Sequence, residues 1–267
     1  MILIRFCFFI LILFLLFACR ESKKSTLVTA TTSIKKDTAV TNNLEISISK
    51  ILGTLQPSED SLFTLIDDKY ADRSGLYMHI EAYQAFQKLY VEAEKRGINL
   101  VIRSAARNFD YQKGIWERKW NGETILSSGE NAKKNFPDPK SRALKILEYS
   151  SMPGTSRHHW GTDIDLNSFE NSWFENGKGL ELFNFMETVG KEYGFCRPYT
   201  TKDSVRPQGY NEEKWHYSYV PISKHYTDYA KKHLNNKLIK GFSGSEVAEE
   251  IDVVNNYVLG INRSCNH

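Results

Sequence analysis

One stretch constrains the fold more than any other: "SRHHWGTDIDLN", Ser156 to Asn167. It sets two adjacent histidines, a glycine and two aspartates among Trp160, Ile164 and Leu166. Apolar positions at a spacing of two predict a short, half-buried strand over "IDLN". Imidazoles and carboxylates on such a strand are costly to bury unless a partner satisfies them. The rest of the chain must therefore bring something to face them: solvent, one another or a metal ion.

The opposite reading, a chain unable to build a core, is excluded by composition. Of 267 residues, 41% are hydrophobic and 13% aromatic, enough for one or two packed domains. A formal charge of only +3 gives no case for nucleic acid as a partner.

The N-terminus is a separate object. Arg5 precedes an unbroken apolar run from Phe6 to Ala18, too short to span a bilayer comfortably and laid out like an export signal. It ends in "LFAC", where Leu16, Ala18 and Cys19 resemble a bacterial lipobox whose cysteine carries lipid, although Phe17 departs from that pattern. An ordinary cleaved signal and an uncleaved anchor are the alternatives, and all three export the protein to the cell envelope, in the periplasm or on the outer surface. The boundaries predicted are 1–18 for the signal, 19–43 for a Ser-, Thr- and Lys-rich tether, and 44–267 for a single domain. Lys23, Lys24, Lys35 and Lys36 read as part of the solvated tether. Export suits the cysteines: Cys196 and Cys265 either pair in an oxidising compartment or remain separate thiols. No cysteine-rich ligand set exists, so a metal would have to use His and carboxylate.

Along the domain, apolar spacing predicts a helix over 78–97 with Ile80, Tyr83, Phe86, Leu89, Tyr90 and Ala93 on its core face. A buried strand follows in "INLVIRS", then a helix over 108–120 and another beginning at Asp138 or Ser141. A helix over "KGLELFNFMETVGKEYGF" and a strand in "KWHYSYV" come later. "HYTDYAKKHL" and "GSEVAEEIDVVNNYVLGI" are predicted C-terminal helices. Helices and short strands without a repeating alternation point to α+β: a small, mostly antiparallel sheet with helices packed on it.

His158 and Asp165 lie seven apart across Gly161, which lets the chain turn from loop to strand. His216 follows in "EEKWHYSY", with Glu213 three residues before it. Two imidazoles and one carboxylate suit a tetrahedral catalytic zinc with one position left to water. Zinc lowers that water's pKa, and a nearby carboxylate such as Glu213 could take its proton and pass it to a leaving amine.

These residues resemble the zinc D-Ala-D-Ala carboxypeptidases and dipeptidases of the VanY/VanX type, the LAS metallopeptidases. Their pattern of S-x-H, two residues, Gly, three residues, Asp, and later E-x-W-H reads here Ser156-Arg157-His158, Gly161, Asp165 and Glu213-Lys214-Trp215-His216. A third segment, an R-S pair ending a strand before a helix that carries Gln, matches Arg103, Ser104 and Gln112. The resemblance covers about Phe63 to Val220 and implies the zinc-peptidase fold shared with Hedgehog domains. It implies one zinc per chain on His158, Asp165 and His216, with Glu213 as general base. Arg103 would hold the substrate carbonyl or oxyanion, Ser156 at the rim would bind substrate, and Gln112 would assist.

The implied activity is removal of the terminal D-Ala from peptidoglycan stem peptides. An endopeptidase or D,D-dipeptidase of the same family is the alternative, with specificity set by loops such as 121–140 and 197–211. A non-catalytic zinc-bearing binding lipoprotein is a third reading, against which the pairing of Glu213 with Arg103 argues. Two positions depart from the family. Asp163 stands where a small apolar residue is usual; it either orients a metal-binding side chain, binds a substrate ammonium, or is a solvated or capping carboxylate, the last being the expectation. Ser218 stands where the family often has arginine. His159 is expected to be structural or at the surface, because period-2 geometry turns it from its neighbour's direction. Glu212 lacks the spacing of the base, and Trp160, Trp215 and Tyr217 are expected in the core or the site wall.

Overall fold

The computed structural model describes residues 45–266. The expected signal segment (1–18), the expected lipid-bearing Cys19 and the expected tether lie outside them.

Local chemistry sets the boundaries of the helices. Ser47 Oγ accepts the Lys50 N–H at the start of α1 (Ile48–Leu52). A two-stranded antiparallel ribbon of β1 (Phe63–Leu65) and β2 (Tyr77–His79) then feeds directly into α2 (Ile80–Lys95). His79 closes the ribbon and caps α2, its Nδ1 accepting the Glu81 N–H. The buried face of α2 is Ala82, Tyr83, Phe86, Leu89 and Ala93, close to the expected stripe. After β3 (Ile102–Ser104), Asn108 caps α3 (Phe109–Trp120) by accepting the Tyr111 N–H. α4 (Ala132–Asn135) precedes α5 (Pro139–Ile146), where Asp138 is the cap and Pro139 takes the first turn. A 3₁₀ turn over Arg157–Trp160 leads into β4 (Asp163–Leu166). Then come α6 (Gly177–Phe185), β5 (Phe195–Cys196), β6 (His216–Tyr219), α7 (Val220–His233) and α8 (Ala248–Ile251).

The C-terminal segment departs from expectation. Instead of one long helix, it is broken into short helical turns at Asp252, which takes a positive φ of 51°. The Asn236 side chain causes the break: Nδ2 donates to Asp252 and Oδ1 accepts the Val254 N–H, replacing the helical bond at that point.

Four strands form one antiparallel sheet in the order β3-β4-β6-β5, so the expected α+β architecture holds. Alternation divides β4 and β6 into two faces. Ile164, Leu166 and Tyr217 join the apolar cluster beneath α2 and α6. The other face carries Asp163 opposite Ser218 and Asp165 opposite His216. Register is fixed because a one-residue slip would push four polar side chains into that apolar cluster. A second cluster, built on Trp116, Trp160, Tyr226 and the C-terminal segment, packs elsewhere in the domain. Cys196 and Cys265 are disulfide-bonded, with Cα atoms 5.5 Å apart, tying β5 to the C-terminal turn.

Candidate active site

Three elements bring the polar face to a point. Asp165 and His216 are cross-strand neighbours on β4 and β6, and His158 enters from the turn preceding β4. Gly161 ends that turn at φ 68°, and a Cβ there would run into the Phe63 ring. His158 Nδ1 lies 2.8 Å from the Ala105 carbonyl, so that nitrogen carries the proton and donates. Its Nε2 is left facing Asp165 Oδ2 at 3.3 Å. His216 is held the same way from the other end: Nε2 donates to Asp163 Oδ2 at 2.9 Å, and Nδ1 faces Asp165 Oδ1 and Glu213 Oε2, each at 3.2 Å.

Both imidazoles thus have their outer nitrogen tied and their inner nitrogen aimed at one carboxylate. The three donor atoms lie within 4.8 Å of one another, and all three residues are buried. His158 Nε2 and Asp165 Oδ1 are buried without a hydrogen-bond partner among the described residues. Three donors converging at this distance can hold a cation between them, and this donor set fits zinc. Burial opposes charge on His216, yet Asp163, Asp165 and Glu213 raise its pKa well above that of an ordinary histidine. Burial raises the Glu213 carboxyl, with His216 opposing. Burial lowers His158, and Arg107 adds to that fall.

Asp163 is not a solvated or capping carboxylate. It is fully buried, and it accepts from Arg157 Nε at 3.0 Å and from the Thr162 and Ser218 hydroxyls at 2.7 Å each. Burial would raise its pKa, but Arg157 and His216 keep it below the usual carboxylate range. Arg157 completes the network through Thr227 on α7 and Ser218, and its guanidinium lies over the Trp160 ring. Ser218, one of the two departures from the family pattern, thus helps fix the orientation of His216.

Arg103 is not brought to the cluster. Its register partner is missing where the β3–β4 pairing slips between Ile102 and Ser104. It pairs instead with Asp72, donates to the Asn167 carbonyl and lies over Phe169. A bulge re-aims the side chain it carries. Arg107, four residues on, occupies the wall of the site, with Nη2 4.0 Å from Asp165 Oδ2. Its position just before the Asn108 cap, in a loop that leaves a strand end, is the signal that sequence reasoning passed over.

The cluster lies in a cavity of about 250 Å³. Gln112 and Ser156 line it as expected. Ser156, however, is buried in the wall rather than at the rim, and its Oγ is unpartnered among the described residues, like Gln112 Oε1. Loop 121–140 contributes Ser127, and loop 197–211 contributes Tyr199 and Tyr210. Trp215 is a wall residue, whereas Trp160, stacked on Tyr226, and Tyr217 belong to the core. Glu212 pairs with Arg197 at 2.6 Å, which leaves Glu213 as the carboxylate beside His216. His159 is structural and buried: Nδ1 donates to the Arg107 carbonyl at 2.7 Å and Nε2 accepts the Gly154 N–H, bracing the Arg107 loop. It lies on a 3₁₀ turn, so its direction follows from that turn rather than from strand alternation.

The α+β fold carries a buried His-Asp-His cluster that could hold a metal ion, with a glutamate beside it. The VanY D-alanyl-D-alanine carboxypeptidase family model matches residues 75–222, and the chain belongs to that family. A similar relative is a D-alanyl-D-alanine carboxypeptidase of Enterococcus faecalis, 26% identical over 149 residues that cover 56% of this chain and 50% of that protein. The chain spans about half the length of the curated relatives it matches. Similar solved structures include VanYB in complex with D-alanine-D-alanine, at 21% identity and TM-score 0.47, covering 65% of this chain and 87% of that one. The LD-carboxypeptidase LdcB is 20% identical with TM-score 0.47, covering 66% and 75%.

Proposed function

We propose that the protein is a zinc-dependent D,D-carboxypeptidase that removes the terminal D-Ala from peptidoglycan stem peptides in the cell envelope, held to a membrane by lipid on Cys19. The observation that carries this reading is the convergence of His158 Nε2, His216 Nδ1 and Asp165 on one point, with Glu213 3.2 Å from His216. His158, Asp165 and His216 would hold one zinc ion, which supplies Lewis-acid activation of water and of the scissile carbonyl.

The remaining roles belong to the chain itself. Glu213, raised by burial, accepts the proton of the attacking water at its carboxylate and returns it to the departing amine. Arg107 donates to the carbonyl oxygen as negative charge develops there, a task suited to a permanently charged group with several donors. Ser156 Oγ and Gln112 Oε1, both buried with unused hydrogen-bonding capacity, orient the peptide backbone. Asp163 and Arg157 keep the His216 ring from turning.

Metal analysis of the full chain should find about one zinc, and Glu213→Gln should keep it while kcat falls about 10²- to 10⁴-fold. Mass spectrometry of muropeptides after incubation reads the reaction. Loss of one terminal alanine supports the proposal, whereas conversion of cross-linked dimers to monomers replaces it with an endopeptidase and no change removes it.

A further inference from the structure

The Arg107 side chain is aimed without a hydrogen bond of its own. Its Nε is buried with no partner among the described residues, and Asp165 faces the guanidinium only at 4.0 Å. Arg103, by contrast, is fixed at its tip by Asp72 and the Asn167 carbonyl. A side chain free at its tip takes its direction from the main chain that carries it, and here that main chain is tightly held. The Arg107 N–H donates to the His158 carbonyl at 3.1 Å, and the Arg107 carbonyl accepts from His159 Nδ1 at 2.7 Å. Asn108 Nδ2 donates to Gln56 Oε1 at 2.8 Å, and the Phe109 N–H donates to the Gly53 carbonyl at 2.6 Å.

Two of these holds come from one segment. α1 and the residues after it, through Gln56, lie ahead of the stretch 75–222 that the family model matches. Ile51 is buried in one cluster with Trp160, whose indole N–H donates to the Ile51 carbonyl at 3.4 Å. Lys50 pairs with Asp60 at 3.3 Å, tying α1 to the chain that follows it. Gly53 ends α1 at φ 70°, and a Cβ there would enter the His159 ring, so the bare glycine backbone is the wall on which that ring rests. The segment therefore reaches Arg107 by two routes: through His159 to its carbonyl, and through Asn108 and Phe109 to the chain just beyond it.

We propose that the 48–56 segment is a clamp that sets the direction of Arg107, with Gly53 and His159 as positioning residues for the reaction. The proposal rests on the peptidase reading above, in which Arg107 meets the developing oxyanion, and it adds to the catalytic apparatus a part of the chain outside the family match. Misplacing such a donor by about 1 Å costs up to roughly 100-fold in rate. The loss falls on kcat rather than KM, because the contact strengthens only as charge develops. Removing the Arg107 guanidinium altogether sets the upper bound on what loosening the clamp can do.

The test is steady-state kinetics of the zinc-loaded full chain on one stem peptide ending in D-Ala-D-Ala. Gly53→Ala should lower kcat about 10- to 100-fold while KM stays within about twofold. His159→Phe, which fills the space without a donor, should do the same. His159→Asn, which keeps a donor near the Nδ1 position, should recover part of the loss. Gly75→Ala, at a comparable φ of 82° with nothing near its Cβ, should leave kcat unchanged. In an Arg107→Met chain, Gly53→Ala and His159→Phe should each cost less than about twofold more, because the group they position is gone. Zinc affinity, read by chelator competition, should stay within about threefold of the parent chain, below the loss that follows when a metal ligand is freed from its partner. Losses that multiply with Arg107→Met, an equal fall in Gly75→Ala, a fall confined to KM, or full kcat in both Gly53→Ala and His159→Phe would overturn the clamp. Weakened zinc binding that accounts for the lost activity also overturns it and places the effect on His158. A parent chain without turnover removes the peptidase reading itself, and this proposal with it.

Discussion

Replacing Arg107 with methionine should lower kcat/KM about 10²- to 10³-fold, the usual loss when a donor to a developing oxyanion is removed. Arg103→Ala should change it less than about threefold, since Arg103 is engaged with Asp72 and Asn167. Steady-state kinetics on one peptide compares the two, and equal losses would contradict the placement. The pair also marks where sequence stops being informative at this scale. His158, Asp165, His216 and Glu213 were legible because their residue types suit one metal site and their spacing matches the family pattern, which also separates Glu213 from Glu212. Which arginine enters the site was not, because the decision rests on a slip in β3–β4 pairing that no side-chain pattern records. For Asp163, alternation correctly put it on the face of Asp165. Its burial depends on Arg157 and on Thr227 of α7, which only the folded chain brings near.

At the level of elements, the turn before β4 is the most exacting. Gly161→Ala forces a residue with a side chain into φ 68° and drives its Cβ into Phe63 and the His79 backbone. Gly75→Ala faces a similar φ of 82° with nothing near its Cβ. Urea titrations should show a loss of about 1 kcal/mol for Gly75→Ala from conformation alone. The loss for Gly161→Ala should be larger by about 1–3 kcal/mol, the cost of forcing a group into packed surroundings. Equal losses would mean the turn relaxes freely. α2 and α3 were readable to within a residue or two, as was the start of α5, which ends at Ile146, four residues before the expected Ser150. The C-terminal segment was not, since its periodicity is helical and the break at Asp252 comes from Asn236, sixteen residues away.

For the whole molecule, acid should act partly through His79. Burial lowers its pKa from 6.5 to about 4, and its Nε2 has no partner among the described residues. The folded state therefore binds this proton less readily than the unfolded one. Stability from this group is complete above about pH 6.5 and falls as pH drops towards 4, by an amount on the order of 2–3 kcal/mol. His79→Asn keeps an acceptor for the Glu81 N–H and should flatten the slope of melting temperature against pH across that window. An unchanged slope would place the acid sensitivity elsewhere.

The disulfide has a topological consequence. Cys196 and Cys265 enclose a ring of chain that contains Glu213 and His216, while His158 and Asp165 lie before it. The exposed Thr201–Val205 stretch lies inside that ring, so a protease cutting there opens the loop without releasing a fragment. The two pieces stay covalently joined, and the tether keeps β6 at high effective concentration beside β4. A nicked molecule can therefore still present its glutamate and second histidine to the half of the site that was never cut.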